Sequence, residues 1–179
     1  MTHKALGKIK EMTQEERLEL LRKLQKDIFT VSEEIDGFKQ LVSDQKDIVA
    51  FIRATAPIDK EAVYVLYLDA KNKVIDYKRE SEGTLTQSVV YPREIIKTAM
   101  EKGALSVVLL HNHPSGSPTP SDADRKITKR TLYACKHMDI NLLDHIILGA
   151  GEKYYSFYEQ GMIERFNGEY RTLMSGLEN

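Results

Sequence analysis

The sequence predicts an α/β domain preceded by a helical segment, and three observations carry that reading. Apolar residues recur at three- and four-residue steps through the first part of the chain, the spacing of a helix face. From Glu61 onward, unbroken apolar runs of strand length appear instead. Stretches with helix-start signals stand between those runs, so strands and helices interleave within one layered domain. The division falls after residue 56: residues 1–56 form the helical segment and residues 57–179 the α/β domain.

Thr13-Gln14-Glu15-Glu16 has the form of a capping box, and Leu18, Leu21, Leu24 and Ile28 then follow the helical period. Ile35, Phe38, Leu41 and Val42 mark a second helix. Ser43 or Asp44 caps a third, carrying Ile48, Val49, Phe51 and Ile52. Ala56-Pro57 ends the helical region, because the residue before a proline avoids the helical basin. Residues 63–68 are continuously apolar or aromatic, as in a strand buried on both faces. Residues 69–73 turn the chain, and 74–77 return as the second strand of a hairpin. Gly83-Thr84 breaks the pattern again. Tyr91-Pro92-Arg93-Glu94 opens a helix to about residue 102, with proline early in the first turn where its missing donor costs least. Residues 105–110 read as a strand, 111–120 as a loop rich in proline, glycine and serine, and Ser121 opens a helix to about residue 137. Residues 140–148 and 154–158 complete the sheet.

Composition bounds the class. Apolar residues are 41% and charged residues 30%, the balance of a soluble globular chain, and 179 residues suffice for a core without covalent staples. A net charge of -1 provides no global basic field to hold the chain on a phosphate backbone. The single cysteine, Cys135, forms no intrachain disulfide and suits a reducing compartment. Met1-Thr2-His3-Lys4 leads into a charged segment rather than a signal core, and the apolar runs are too short to span a bilayer. A cytoplasmic protein without a membrane partner is expected; homo-oligomerisation is left open.

The chemistry concentrates between residues 111 and 124. Residues two apart on an extended chain project to the same side, so His111 and His113 converge just past an apolar strand. Neutral imidazole is a favoured zinc ligand. Pro114, Gly116, Pro118 and Pro120 stiffen and reverse the chain, delivering Asp124 to the first turn of the next helix. Two histidines and a carboxylate are three ligands that leave one tetrahedral position to water, the pattern of catalytic zinc. One Zn2+ per chain is expected. Ser121-x-x-Asp124 is also a capping pattern. Capping accounts for those two residues but not for the paired histidines or the stiff loop. A capping arm is not expected to serve as an inner-sphere ligand as well, and Asp122 is expected to supply the negative charge at the helix terminus.

With an upstream glutamate, His-x-His-Pro, six residues, Ser, two residues, Asp resembles the JAMM (MPN-plus) metalloprotease motif. The fuller strings His111-Asn112-His113-Pro114-Ser115-Gly116 and Pro120-Ser121-x-x-Asp124 resemble its bacterial RadC branch. So do Gly83-Thr84, Tyr91-Pro92-Arg93-Glu94 and Leu143-Asp144-His145-Ile146-Ile147. The likeness covers about residues 61–163. Residues 1–60 lie outside it, and they hold no convincing copy of the helix-hairpin-helix module common in RadC proteins.

The resemblance implies a three-layer fold with a mixed sheet flanked by helices, related in layout to cytidine deaminases. It implies His111, His113 and Asp124 as metal ligands, Glu61 as the catalytic glutamate at the start of the first strand, and Ser121 as an oxyanion donor. In that chemistry zinc lowers the pKa of its water toward about 7, and Glu61 takes the proton and returns it to the leaving amine. Glu80 and Glu82 are rival bases. Asp144 and His145 either orient a zinc-binding histidine from behind or form a satisfied polar pair inside the sheet. Asn112 and Ser115 shape the loop or touch substrate. Cys135 and His137, late in a helix, suit packing or surface roles. Tyr154, Tyr155, Phe157 and Tyr158 suit the core and rim of a strand better than a base-stacking platform.

Three functions follow. The first is a zinc metallopeptidase or isopeptidase-like hydrolase acting on a peptide or protein amide. The second is a nucleic-acid-binding protein, from the association of RadC with DNA repair; the net charge and the lack of a basic stripe argue against it. The third is a non-catalytic scaffold that retains zinc. A cytidine deaminase is disfavoured because no Pro-Cys-x-x-Cys ligand pair is present.

Overall fold

A strand that is apolar at every position needs cover on both faces. β1 (Ala62–Leu68) and β3 (Ser106–Asn112) are buried along their whole lengths and pair antiparallel at the centre of a five-stranded sheet. The computed structural model describes residues 12–13, 15–17, 19–20, 44–55, 60–82 and 90–176. In it β2 (Val74–Glu82) pairs antiparallel with β1, β4 (Asn141–Leu148) lies parallel to β3, and β5 (Tyr154–Ser156) pairs antiparallel with β4. The order is β2-β1-β3-β4-β5. Parallel neighbours need a crossover connection, and the helix Asp122–Lys136 supplies it.

Four described helices cover the sheet: α1 (Gln45–Thr55), α2 (Pro92–Lys102), α3 (Asp122–Lys136) and α4 (Met162–Ser175). Val63, Val65 and Tyr67 of β1 and Val107 and Leu109 of β3 pack against Ile95 and Ala99 of α2, Leu132 of α3, and Ile163 and Phe166 of α4. The alternate residues, including Tyr64, Leu66, Val108 and Leu110, pack against Ile48, Phe51 and Ile52 of α1. The result is the expected three-layer α/β arrangement around a mixed sheet.

Local signals hold where they can be compared. The Thr13 amide donates to Glu16 Oε2 at 2.7 Å and the Glu16 amide to Thr13 Oγ1 at 3.2 Å, a closed capping box. Asp44 caps α1 by accepting from the Asp47 amide at 3.0 Å. The apolar positions at 18, 21, 24, 28, 35, 38, 41 and 42, together with Ala56-Pro57 and Gly83-Thr84, lie outside the described residues. Among the described residues no helix is long and apolar enough to cross a membrane.

Several element boundaries differ from the sequence reading. β2 continues to Glu82 rather than stopping at Tyr77, because pairing with β1 carries the polar run from Lys78 onward as an edge strand. β3 continues through Asn112, so His111 sits inside the strand rather than past it. β5 ends at Ser156, short of Tyr158. α4 was not anticipated, although Ile163 and Phe166, both buried, stand at helical spacing.

Candidate metal centre

Register decides which side chains meet. Val63 is opposite His111 across β1 and β3, so Glu61 and His113, each two residues further toward the same end, share that face. On the other side of β3, His145 of β4 is level with Leu109, on the same face but two residues deeper than His111. α3 then brings Asp124 over this corner from its first turn.

His111 is buried, its Nδ1 lying 2.7 Å from Asp124 Oδ1 and its Nε2 3.0 Å from Glu61 Oε1. Each ring nitrogen of His111 thus faces a carboxylate oxygen. His113 stands at the rim, with Nδ1 2.8 Å from the Ser117 carbonyl and Nε2 3.7 Å from Asp124 Oδ2. Its contact with Asp124 raises its pKa, against the opposing effect of burial. The backbone fixes this histidine: its N–H donates to the Leu148 carbonyl at 2.9 Å.

The loop from His113 to Pro120 is seated on the turn between β4 and β5. The Ala150 amide donates to the Gly116 carbonyl at 2.9 Å, and Gly116 has φ 80°, a left-handed conformation suited to glycine. Gly149 lies so close that an added Cβ would stand 2.7 Å from the Gly116 carbonyl oxygen. Ser115 contributes within the loop, accepting weakly from the Ser117 amide at 3.5 Å.

Asp124 is fully buried and does two jobs. Its Oδ2 accepts from the Ser121 amide at 2.7 Å and from Ser121 Oγ at 2.5 Å, while the Asp124 amide donates back to Ser121 Oγ at 3.2 Å. Its Oδ1 faces His111. Asp124 is thus the capping arm at the start of α3, the role that had been set against a ligand's, while its Oδ1 stays turned toward His111. Asp122, exposed at the first helical position, takes no part in the capping box. Burial by itself would raise the Asp124 pKa, but hydrogen bonds from His111, His113 and Ser121 prevail and hold it well below the usual carboxylate range. The Ser121 hydroxyl proton is directed at Asp124.

Glu61 stands immediately before β1, partly exposed at the rim. Asn112 brackets it: its Oδ1 accepts from the Ala62 amide at 3.0 Å and its Nδ2 donates to the Lys60 carbonyl at 2.8 Å. Asn112 thus fixes the backbone on either side of the glutamate. The rival Glu80 is engaged elsewhere, by the Tyr67 hydroxyl at 3.2 Å and Lys78 at 3.2 Å, toward the opposite end of β1. Glu82 is level with Ala62 in β2.

Asp144 and His145 part company. Asp144 accepts from Ser156 Oγ at 2.5 Å, the His145 amide at 2.7 Å and the Tyr158 amide at 2.9 Å, which ties β4 to the β5 turn. Burial pushes its pKa up to about 6. His145 belongs to the site face. Its Nδ1 is 2.7 Å from Thr128 Oγ1, its ring stacks 5.0 Å from Phe157, and its Nε2 is buried without a protein partner. Burial pushes its pKa down to about 3, so the ring is neutral near pH 7. Cys135 lies in the core, where burial raises its thiol pKa to about 12. His137 caps the end of α3, 3.4 Å from the Tyr170 hydroxyl.

Among the described residues, His111, Asp124 and His145 form a buried cluster whose donor atoms all lie within 4.8 Å of one another, and it can hold a metal ion. Imidazole and carboxylate form a donor set suited to zinc. The unpartnered His145 Nε2 and the two carboxylates on His111 fit a bound cation as well.

A family model described as the RadC-like JAB domain matches residues 42–162. The match reaches further toward the amino terminus than the motifs did, and takes in α1. UPF0758 protein STH371 of Symbiobacterium thermophilum is 50% identical over 108 residues, which make up 60% of this chain and 46% of that protein. The aligned region thus spans less than half the length of that relative. With most of the chain inside the matched region and the motif residues gathered at one corner of its sheet, the protein belongs to the RadC-like JAB domain family.

Proposed function

We propose that this protein is a zinc-dependent hydrolase, metallopeptidase or isopeptidase-like, that cleaves an amide bond in a peptide or protein. The observation that carries the reading is the Glu61 carboxylate, partly exposed and 3.0 Å from the ring of His111, whose other nitrogen meets buried Asp124. His111, His113 and Asp124 would hold the metal. Bound there, zinc supplies a Lewis acid and brings the pKa of a water toward about 7.

Glu61 takes a proton from the attacking water and returns it to the leaving amine. Asn112 keeps that carboxylate in place by clamping the backbone on both sides of it. Ser121 turns its hydroxyl from Asp124 Oδ2 to the developing oxyanion; the Ser121 amide remains on Oδ2 to hold the carboxylate. Such a donor commonly contributes about 2.7–4 kcal/mol. The buried free thiol of Cys135 is consistent with a reducing compartment, and we place the protein in the cytoplasm.

Protein purified without chelator should contain about one zinc per chain. In a peptide-library screen, Glu61→Gln should keep the zinc and lose cleavage by about 10²–10⁴-fold. Equal cleavage by wild type and Glu61→Gln would point to another base. A zinc-loaded wild type that cleaves nothing would favour the scaffold reading, and a folded wild type without metal would remove zinc from the account. Salt-dependent DNA binding at physiological ionic strength would favour the nucleic-acid reading.

A further inference from the structure

The peptide group between Gly149 and Ala150 is tied at both ends. Its N–H, from Ala150, donates to the Gly116 carbonyl at 2.9 Å, and Gly116 belongs to the loop that carries His113. Its carbonyl, from Gly149, accepts from Arg53 Nη2 at 3.2 Å, and Arg53 lies in the last turn of α1. The N–H and C=O of a trans peptide point in opposite directions, so α1 and the loop meet across one rigid plane. The bond from the guanidinium is charge-assisted and polarises the peptide, which makes its N–H the better donor toward Gly116.

The same guanidinium closes the turn. Arg53 Nη2 also lies 3.2 Å from the Lys153 carbonyl, which accepts from the Gly149 amide at 2.8 Å. One nitrogen therefore joins the two ends of the β4–β5 turn. On one side of Gly149 the His113 amide donates to the Leu148 carbonyl, and on the other Ala150 meets Gly116. The loop thus rests on three consecutive residues whose middle carbonyl Arg53 holds. The seat has little slack, since a Cβ added to Gly149 would stand 2.9 Å from Pro118 Cδ.

An arginine at this place has a simpler role open to it, because a cation in the last turn of a helix suits the helix dipole. That role needs only solvent or the helix's own carbonyls. Arg53 instead donates to two carbonyls of another element, 96 and 100 residues away in sequence. Ile48, Phe51 and Ile52 are buried against the sheet and fix the helix from which it reaches.

We propose that Arg53 is a positioning residue for the metal centre: by fixing the Gly149–Ala150 peptide it sets the loop that presents His113. The inference rests on the reading of His113 as a metal donor and adds α1 to the parts that hold it. The link runs round the end of the sheet through the β4–β5 turn, not through the strands.

The test compares wild type with Arg53→Met, which keeps an apolar stem, and Arg53→Lys, which keeps a cation. In metal-free protein, amide hydrogen exchange at His113 and Ala150 should be about tenfold faster in Arg53→Met than in wild type. Exchange at Val65 and Leu109, in the centre of the sheet, should be unchanged, and Arg53→Lys should recover part of the protection. Equal exchange at His113 and Ala150 in wild type and Arg53→Met would overturn the proposal. An equal rise at Val65 and Leu109 would overturn it too, as the mark of general destabilisation. Zinc should bind Arg53→Met about tenfold more weakly than wild type, the loss usual when a group supporting a ligand is removed. Faster exchange with unchanged zinc affinity would overturn the link to the metal. Zinc binding by neither protein would instead remove the metal centre itself, with the exchange result still deciding whether Arg53 sets the loop. Should Arg53→Met fail to fold, wild type decides: by reciprocity zinc should slow exchange of the Arg53 guanidinium protons, and unchanged exchange would overturn the proposal.

Discussion

Asp144 and His145 are consecutive in β4, both polar, both buried, and they face opposite sides of one sheet. On one side Asp144 collects three donors and closes the β4–β5 corner. On the other His145 has a partner for one nitrogen and none for the second. A buried polar group with all its partners present is a structural knot, whereas one left a partner short marks a place for something else. The same contrast separates the two buried aspartates. The surroundings of Asp124 favour its charge, while burial disfavours that of Asp144.

The largest effect that would sharpen this contrast is expected from Asp144→Ala. It strands a hydroxyl and two amides, and at about 1–3 kcal/mol for each unpaired group a loss of at least about 3 kcal/mol is expected. Urea unfolding measures that loss, and metal analysis of the folded fraction should find zinc content unchanged. Zinc loss would mean that the two faces are coupled, and the comparison would fail.

A smaller effect is expected from pH. The folded-state pKa of Asp144, about 6, lies above the unfolded value of about 3.9. Its stability contribution is therefore fully present below about pH 4 and is lost as pH rises through 6. Asp124 has the opposite sign: its contribution is present above the unfolded pKa and lost as pH falls through its depressed folded value. In chelator-treated protein, the stability difference between wild type and Asp144→Asn should decline by about 2 kcal/mol from pH 4 to 7. A flat difference would show that Asp144 does not titrate in this range.

The smallest effect is expected from Ser121→Ala, which removes the hydroxyl of the capping box on α3 but leaves the Ser121 amide on Asp124 Oδ2. A loss of about 1 kcal/mol in thermal or urea unfolding is expected. No loss would mean that the hydroxyl adds nothing to the cap beyond the Ser121 amide on Asp124 Oδ2.

Local chemistry made much of this protein legible. The uninterrupted apolar run at 63–68 announces a strand buried on both faces, which has no polar side to show. His-x-His at the end of another strand announces two imidazoles on one face, because side chains alternate with a period of two. Ser121-x-x-Asp124 announces a helix start, because a short acceptor three residues from a carboxylate satisfies the exposed amides of a first turn. Glu61 was reached through a motif rather than through any local period. α4 carries a weaker local signal, with Ile163 and Phe166 as its buried residues at helical spacing.

Tertiary structure decided the rest. Whether Glu61 reaches His111, fifty residues away in sequence, depends on the antiparallel register that puts Val63 opposite His111. Whether Asp144 and His145 act together depends on strand alternation combined with the parallel register that sets His145 beside Leu109, and that combination separates them. Asp124 can both cap and face a histidine only because the first turn of α3 is brought against His111 of β3. By itself the sequence determined which residues could carry the chemistry and which short-range elements hold them, since periodicity and capping act over a few residues. Which of those residues share one corner, and which nitrogen is left bare there, was settled by strand register and helix crossing, which act between segments that are distant along the chain.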